Sequence, residues 1–145
     1  MRIEIRRVGP PQDLPAAQHE GDAGYDLRAR EGTTLPAGGG RAAVPTGIAV
    51  AIPPGWAGLV LPRSGLALRH GVTCLNAPGL IDAGFRDEIR VIMVNHDPVE
   101  PFQVEAGDRI AQLVVQAVET IEWVLVDDLG PSARGTGGFG STGRQ

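Results

Sequence analysis

The chain has 145 residues and a formal net charge of −4, and all of its 13 basic residues are arginine. That length suits one domain with a real core, while a negative balance without a run of basic residues argues against a nucleic-acid polymer or an anionic membrane as partner. Aromatics make up only 4%, so the core must rest on Val, Ile, Leu and Ala, and Gly 21 and Pro 12 fall between short apolar runs, as turns do in an all-β chain.

The N-terminus, Met1 to Arg6, has no apolar h-region. Residues Arg2 to Val8 alternate polar and apolar, which predicts a half-buried strand. Pro10, Pro11 and Pro15 mark an irregular connection. Tyr25 to Ala29 reads as a short strand, Gly38-Gly39-Gly40 as a turn, and Ala43 to Ile52 as a strand broken by Pro53-Pro54-Gly55. Ala57 to Leu61 is a short apolar strand, and Ser64 to Arg69 is the one convincing helical stretch. The single cysteine, Cys74, excludes an intramolecular disulfide and fits a reducing cytosol. Ile89 to Asn95 is a strand followed by a turn at His96-Asp97-Pro98, and Ile110 to Ala117 and Ile121 to Val126 read as further strands. From Gly130 the composition shifts to Gly, Ser, Thr and Arg around a lone Phe139, which predicts a flexible arm over 131–145 after a β domain over 1–130. No stretch of about 18 apolar residues occurs, so a soluble, cytoplasmic protein is expected. Many short strands separated by turn signals predict a single-domain, jelly-roll-like β barrel or sandwich.

Five segments carry candidate chemistry. In Ala23-Gly24-Tyr25-Asp26-Leu27, an aspartate sits in an apolar run; by itself it could be a turn or capping residue. In Pro62-Arg63-Ser64-Gly65-Leu66, Pro62 ends a strand and Ser64 can cap the helix that follows. A helix start leaves N–H donors open toward an anion, and Arg63 adds a planar set of donors matched to phosphate. Asn76 to Val91 reads as a hairpin with one carboxylate, Asp82, near its tip, a candidate general base for water. In Gly107-Asp108-Arg109-Ile110-Ala111-Gln112-Leu113, strand alternation puts Ile110 and Gln112 on one face. An inward Gln112 needs a hydrogen-bond partner. In Arg134 to Gly143, glycines surround one aromatic, a composition suited to a flap that stacks on a base while its N–H groups and arginine meet phosphates. Taken alone, such a tail is an ordinary chain end.

No segment is specific by itself, but their order and spacing are. Gly24-Tyr25-Asp26-Leu27, Pro62-Arg63-Ser64-Gly65, Asn76-x-x-Gly79-x-Ile81-Asp82, Gly107-Asp108-Arg109-Ile110-Ala111-Gln112 and Arg134-Gly-x-Gly-Gly-Phe139-Gly140-Ser141-x-Gly143 follow one another over residues 23 to 143. In this the chain closely resembles the homotrimeric dUTPase family, whose five motifs run in the same order. The resemblance implies a β jelly roll in which three subunits share each of three active sites, hydrolysing dUTP to dUMP and pyrophosphate with Mg²⁺. That activity keeps uracil out of DNA and supplies dUMP for thymidylate synthesis.

Residue by residue, the resemblance makes Asp82 the carboxylate that activates the attacking water, and Asp26 the aspartate that holds the hydration shell of Mg²⁺. Arg63, Ser64, Gly65 and Gln112 match phosphate-contacting positions. Asn76, Gly79 and Ile81 match the edge that reads uracil. Phe139 matches the aromatic that stacks on the base, and Arg134, Gly140 and Ser141 match arm contacts. Two departures stand out. Phe85 occupies a position where the family usually has Tyr, under the deoxyribose, and Asp87 occupies one where it usually has Gly. Phe85 keeps the ring face and loses a hydroxyl; Asp tolerates left-handed backbone better than most residues. A dCTP deaminase shares this fold, but Ser64-Gly65 and Asp82 differ from the Ser-Ser pair and catalytic Glu of that family. A catalytically silent nucleotide-binding or regulatory protein on the same fold is the other reading, and a structural β protein the last.

Overall fold

The computed structural model describes residues 1–10, 13–133 and 135. Among them are eleven strands and one helix: β1 (Glu4–Arg7), β2 (Tyr25–Arg28), β3 (Thr33–Leu35), β4 (Gly40–Pro45), β5 (Ile48–Ala51), β6 (Trp56–Leu61), α1 (Ser64–His70), β7 (Val72–Cys74), β8 (Gly79–Ile81), β9 (Arg90–Asn95), β10 (Phe102–Val104) and β11 (Arg109–Ala117). They form a jelly-roll-like β sandwich. A four-stranded sheet has the order β2-β11-β6-β8, a three-stranded sheet the order β4-β9-β7, and β1-β5 and β10-β3 make two short ribbons; every pairing is antiparallel.

The core is aliphatic, as the composition requires. Leu27, Leu35, Val44, Ile48, Ile52, Val72, Ile89, Val91, Met93, Val104 and Ile110 are all buried in one cluster to which both larger sheets contribute. Inward residues alternate along β9, where Val91 and Met93 are buried while Arg90 and Ile92 are exposed. A strand pleat places successive side chains on opposite faces. Asn95, at the end of β9, is fully buried. Its amide donates to the Leu35 and Glu100 carbonyls at 3.2 and 2.9 Å, which meets the requirement that a buried polar group be bonded.

Several expectations change on inspection. The expected strand over Ala43–Ile52 is two strands, because Gly47 has φ 71° and turns the chain between β4 and β5. Three strands lie outside those expectations, β3, β7 and β10, each three residues long, while β8 falls in the first arm of the expected hairpin. Three residues are too few to display a period of two. The N-terminal strand forms, but all four residues of β1 are exposed rather than half-buried, because its partner within the chain is β5 alone. Ile121–Val126 contains no strand. After β11 the chain runs in irregular conformation, with Ile121, Trp123, Val124, Leu125 and Leu129 between 64 and 99% exposed. No helix among the described residues is long and apolar enough to cross a membrane.

Candidate active site

The four-stranded sheet gathers four of the five motif segments. Val60 on β6 pairs with Gly79 on β8 and, on its other side, with Leu113 on β11. One step along, Leu61 pairs with Gln112, and Gln112 with Asp26 on β2. Neighbouring strands lie about 4.8 Å apart, so Asp26 and the end of β6 stand roughly 10 Å from each other across Gln112. Pro62 then ends β6 and Arg63 leads into α1.

Asp26 is the electrostatic centre of this edge. Its side chain is 4% exposed and lies between two guanidinium groups, Arg63 Nε at 3.4 Å from Oδ1 and Arg109 Nη1 at 3.2 Å from Oδ2. A buried carboxylate of this kind is tolerable only when paired. Arg63 Nη1 also donates to the Arg109 carbonyl at 3.0 Å, so the two arginines brace one another. Two positive charges around one negative charge leave the edge net cationic, suited to an anion. The two arginines, with Arg28 and Asp108, also line a cavity of about 260 Å³ that Asp26 itself does not border. Arg109 had no role in the sequence reading. Only its place inside the fourth motif marked it, and a contact with Asp26 across 83 residues leaves no local signature.

Two local readings need correction. Ser64 does not cap α1. The N-cap is Arg63, in extended conformation (φ −94°, ψ 125°), with no side-chain cap bond, and Ser64 is the exposed first residue of the helix. Gly71 ends α1 in the left-handed region at φ 63°, its N–H bonded to the Ala67 and Leu66 carbonyls, an arrangement that favours glycine. Nor does Gln112 share an inward face with Ile110. A bulge between Arg109 and Ala111 shifts the register, so Ile110, Ala111 and Leu113 are all buried and Gln112 is half-buried on the other side. Gln112 lies against Gly24, where an added Cβ would come within 3.3 Å of its Cδ.

The third segment is not a hairpin of paired strands. β8 pairs with β6 in one sheet, while β9 pairs with β4 and β7 in the other. The connection between them spans the gap between sheets and lines a cavity of about 420 Å³ that includes Val60, Asn76, Gly79, Ile81, Asp82 and Phe85. Gly79 is buried; a Cβ there would meet Val60 Cβ at 3.3 Å and Asn76 Nδ2 at 3.4 Å, so the backbone edge is open because it lacks a side chain. The Ala77–Pro78 peptide just before it is cis. Asp82 is exposed and begins a tight turn in which the Phe85 N–H donates to its carbonyl at 3.0 Å. Arg86 Nη1 donates to the Ala83 and Phe85 carbonyls. Phe85 is 38% exposed toward this cavity. Asp87 accepts from the Glu88 N–H at 2.7 Å through Oδ1, a bond that glycine has no atom to make.

The five nucleoside-side candidates, Asn76, Gly79, Ile81, Asp82 and Phe85, thus come together. Arg63 comes together with Asp26, beside Gln112 and the start of α1, where Ser64 and Gly65 lie. The two groups stay apart, and no residue lines both cavities. Arg134, Phe139, Gly140 and Ser141 lie outside the described residues. Among the described residues no three His, Cys, Asp or Glu side chains converge as a metal cage. Among the described residues Asp26 Oδ1 is buried without a hydrogen bond, its charge met by Arg63 Nε at 3.4 Å. A lone carboxylate oxygen suits an ion that keeps most of its own water better than one stripped of it.

Comparison with known proteins agrees with the motif order. The dUTPase family profile matches residues 11–143. A deoxyuridine 5'-triphosphate nucleotidohydrolase from Thermobifida fusca is 57% identical over 143 residues, covering 99% of this chain and 79% of that protein. One from Anaeromyxobacter sp. is 56% identical, covering 98% and 97%. Among solved structures, a variant dUTPase of Staphylococcus bacteriophage 80alpha with dUpNHpp superposes at a TM-score of 0.87 with 26% identity over 99% of both chains. A variant from phage phi11 of S. aureus, which coordinates a structural Mg(II) ion, superposes at 0.80 with 25% identity over 89% of this chain and 99% of that one. With a profile match over nearly its full length and relatives above 50% identity, the chain belongs to the dUTPase family.

Proposed function

We propose that this dUTPase hydrolyses dUTP to dUMP and pyrophosphate, with Asp82 as the general base. Asp82 takes a proton from a water molecule whose oxygen attacks the α-phosphorus. The bond from that phosphorus to the bridging oxygen breaks, and pyrophosphate leaves with the electron pair. Charge builds on phosphoryl oxygens, so positioning and electrostatic stabilisation dominate. Arg63, with Ser64, Gly65 and Gln112, meets the phosphates. Arg109 stiffens that group by holding Asp26. The backbone around Gly79 and Ile81, with Asn76, reads uracil. Cytosine presents the opposite donors and acceptors at two ring positions and would leave buried groups unpaired. Phe85 packs under the deoxyribose and excludes a 2'-OH by its face.

The observation that carries this reading is the shared cavity of Asp82 with Asn76, Gly79, Ile81 and Phe85. When bound, Mg²⁺ would supply charge neutralisation on the phosphates, and Asp26 is the residue that would hold its water shell. Residues 131–145 form the arm that closes on the site over a β body of 1–130: Phe139 stacks on the base, and Arg134, Gly140 and Ser141 meet the triphosphate. Cytoplasmic location suits the substrate.

The working unit in this reading is a homotrimer with shared sites. Two observations support it. The nucleoside cavity and the arginine edge are separate within one chain, and the run from Val118 to Leu129 leaves Ile121, Trp123, Val124, Leu125 and Leu129 exposed, an apolar surface of the kind a partner covers. Incubation with dUTP or dCTP, with and without Mg²⁺, tests the activity. Metal-dependent pyrophosphate from dUTP alone is expected. Ammonia from dCTP, or no product from either, would overturn it.

A further inference from the structure

The connection between β8 and β9 carries Asp82 at its start and Phe85 in its middle, and its two ends are held by different means. The first end continues β8, which is paired with β6. From Asp82 to Asp87 every residue but Ala83 is exposed, Phe85 at 38% the large side chain among them. Within the loop the Phe85 N–H bonds the Asp82 carbonyl and Arg86 bonds the Ala83 and Phe85 carbonyls, and from outside it only Arg6 Nη2 reaches in, 3.5 Å from the Arg86 carbonyl, among the bonds of the described residues. The second end is fixed by Glu88, whose side chain is 4% exposed. Glu88 Oε1 accepts from the Gly47 N–H at 2.8 Å and from Arg30 Nη1 at 3.0 Å, and Oε2 lies 3.6 Å from Arg90 Nη2. Arg30 itself is held on the Val8 carbonyl and on Pro45, whose carbonyl accepts from its N–H. Just beyond, the Ile89 carbonyl accepts from both the N–H and the hydroxyl of Thr46, at 3.1 and 2.7 Å. The β4–β5 turn therefore grips the loop at residues 88 and 89, and at 88 the grip is made by a side chain.

A buried carboxylate is a costly way to fill space and is retained where its bonds fix a geometry. Glu88 also borders the same cavity as Asp82 and Phe85. We infer that Glu88 is a positioning residue for dUTP hydrolysis: anchored on Gly47 and Arg30, it sets the path of residues 82–87 so that the Asp82 carboxylate and the Phe85 ring face the cavity together. The inference rests on the reading of Asp82 as the base.

The test compares Glu88→Ala, Glu88→Gln and Arg30→Met by steady-state kinetics on dUTP and UTP, each well below its own melting temperature. In Glu88→Ala the kcat for dUTP should fall about tenfold to a hundredfold, the range that a misplacement near 1 Å produces. The ratio of dUTP to UTP turnover should narrow as Phe85 shifts. Glu88→Gln keeps the oxygen that Gly47 and Arg30 share and should stay within about threefold of wild type. Arg30→Met leaves the Gly47 bond and should fall between the two. A folded Glu88→Ala with a lower melting temperature but wild-type kcat and an unchanged dUTP to UTP ratio would overturn the inference. Should that variant fail to fold, Glu88→Asp, which ends one methylene short of Gly47, is read in the same way. Asp82→Asn, measured alongside, separates the two ideas. If it keeps its turnover, the base assignment falls, while the change in nucleotide ratio still reports on Glu88.

Discussion

A carboxylate does different work in this protein according to what surrounds it. Asp82 is exposed and sits in a turn; Asp26 is buried between two arginines; Glu88 is buried on a backbone amide and two guanidinium groups. Exposure leaves Asp82 open to water, as the proposed base must be, while Asp26 and Glu88 are each held by arginines. Asp82→Asn should therefore lower kcat by about 10²–10⁴, the usual loss for a general base, without moving the melting temperature. A variant that keeps more than half of wild-type turnover would show that another group takes the proton. Cys74 illustrates the opposite environment. It is 5% exposed, and burial pushes its thiol up from 9.0 to about 11. The thiolate is the reactive form, so native protein at pH 8 should resist alkylation that unfolded protein accepts at once. The folded state holds this proton more tightly than the unfolded state. The resulting stability is complete below pH 9 and declines as pH rises toward 11. Thermal melts of wild type and Cys74→Ala should accordingly diverge over that window, with the wild type losing more.

Elements were legible in the sequence where a pattern was local. The helix at Ser64–His70 and the strands β2, β6, β9 and β11 each lie within a residue or two of where composition and alternation put them. What was not legible depends on partners distant in the chain. The loop from β8 to β9 reads as a hairpin, because two apolar runs flank a glycine-containing turn; only pairing shows that the runs belong to different sheets. The Arg109 contact with Asp26 was hidden for the same reason, and Gln112 was misplaced by a bulge that alternation cannot anticipate. Ile121–Val126 fails differently. Its β-branched and apolar residues record a need for burial, and within one chain that burial is missing. A trimer would supply it. Leu125 is 99% exposed, so Leu125→Ser should leave an isolated subunit unharmed. In the trimer it should forfeit about 2 kcal/mol per subunit, roughly thirtyfold for each, or on the order of 10⁴-fold in the constant for dissociation into three subunits. Light scattering over a dilution series would read the shift; identical dissociation of mutant and wild type would show that this segment lies outside the subunit contacts.

The whole molecule is organised around one separation. The sheet order β2-β11-β6-β8 links the arginine edge to β8 on the proposed nucleoside wall, yet the two open into cavities that share no residue. If each working site joins the cavity of one subunit to the edge of the next, the site resembles a pair of half-keys held by different owners. Two dead proteins should then make a live one. Asp82→Asn spoils only the nucleoside wall and Arg63→Met only the arginine edge. Each homotrimer would be inert, but when the two are unfolded together and refolded as an equal mixture, a site works whenever a sound wall happens to meet a sound edge. Random assortment of subunits gives that combination in about one quarter of sites, so about a quarter of wild-type activity should return. If both halves came from a single chain, no mixture would recover anything. Equal refolding with no regained activity would therefore place the whole site within one subunit.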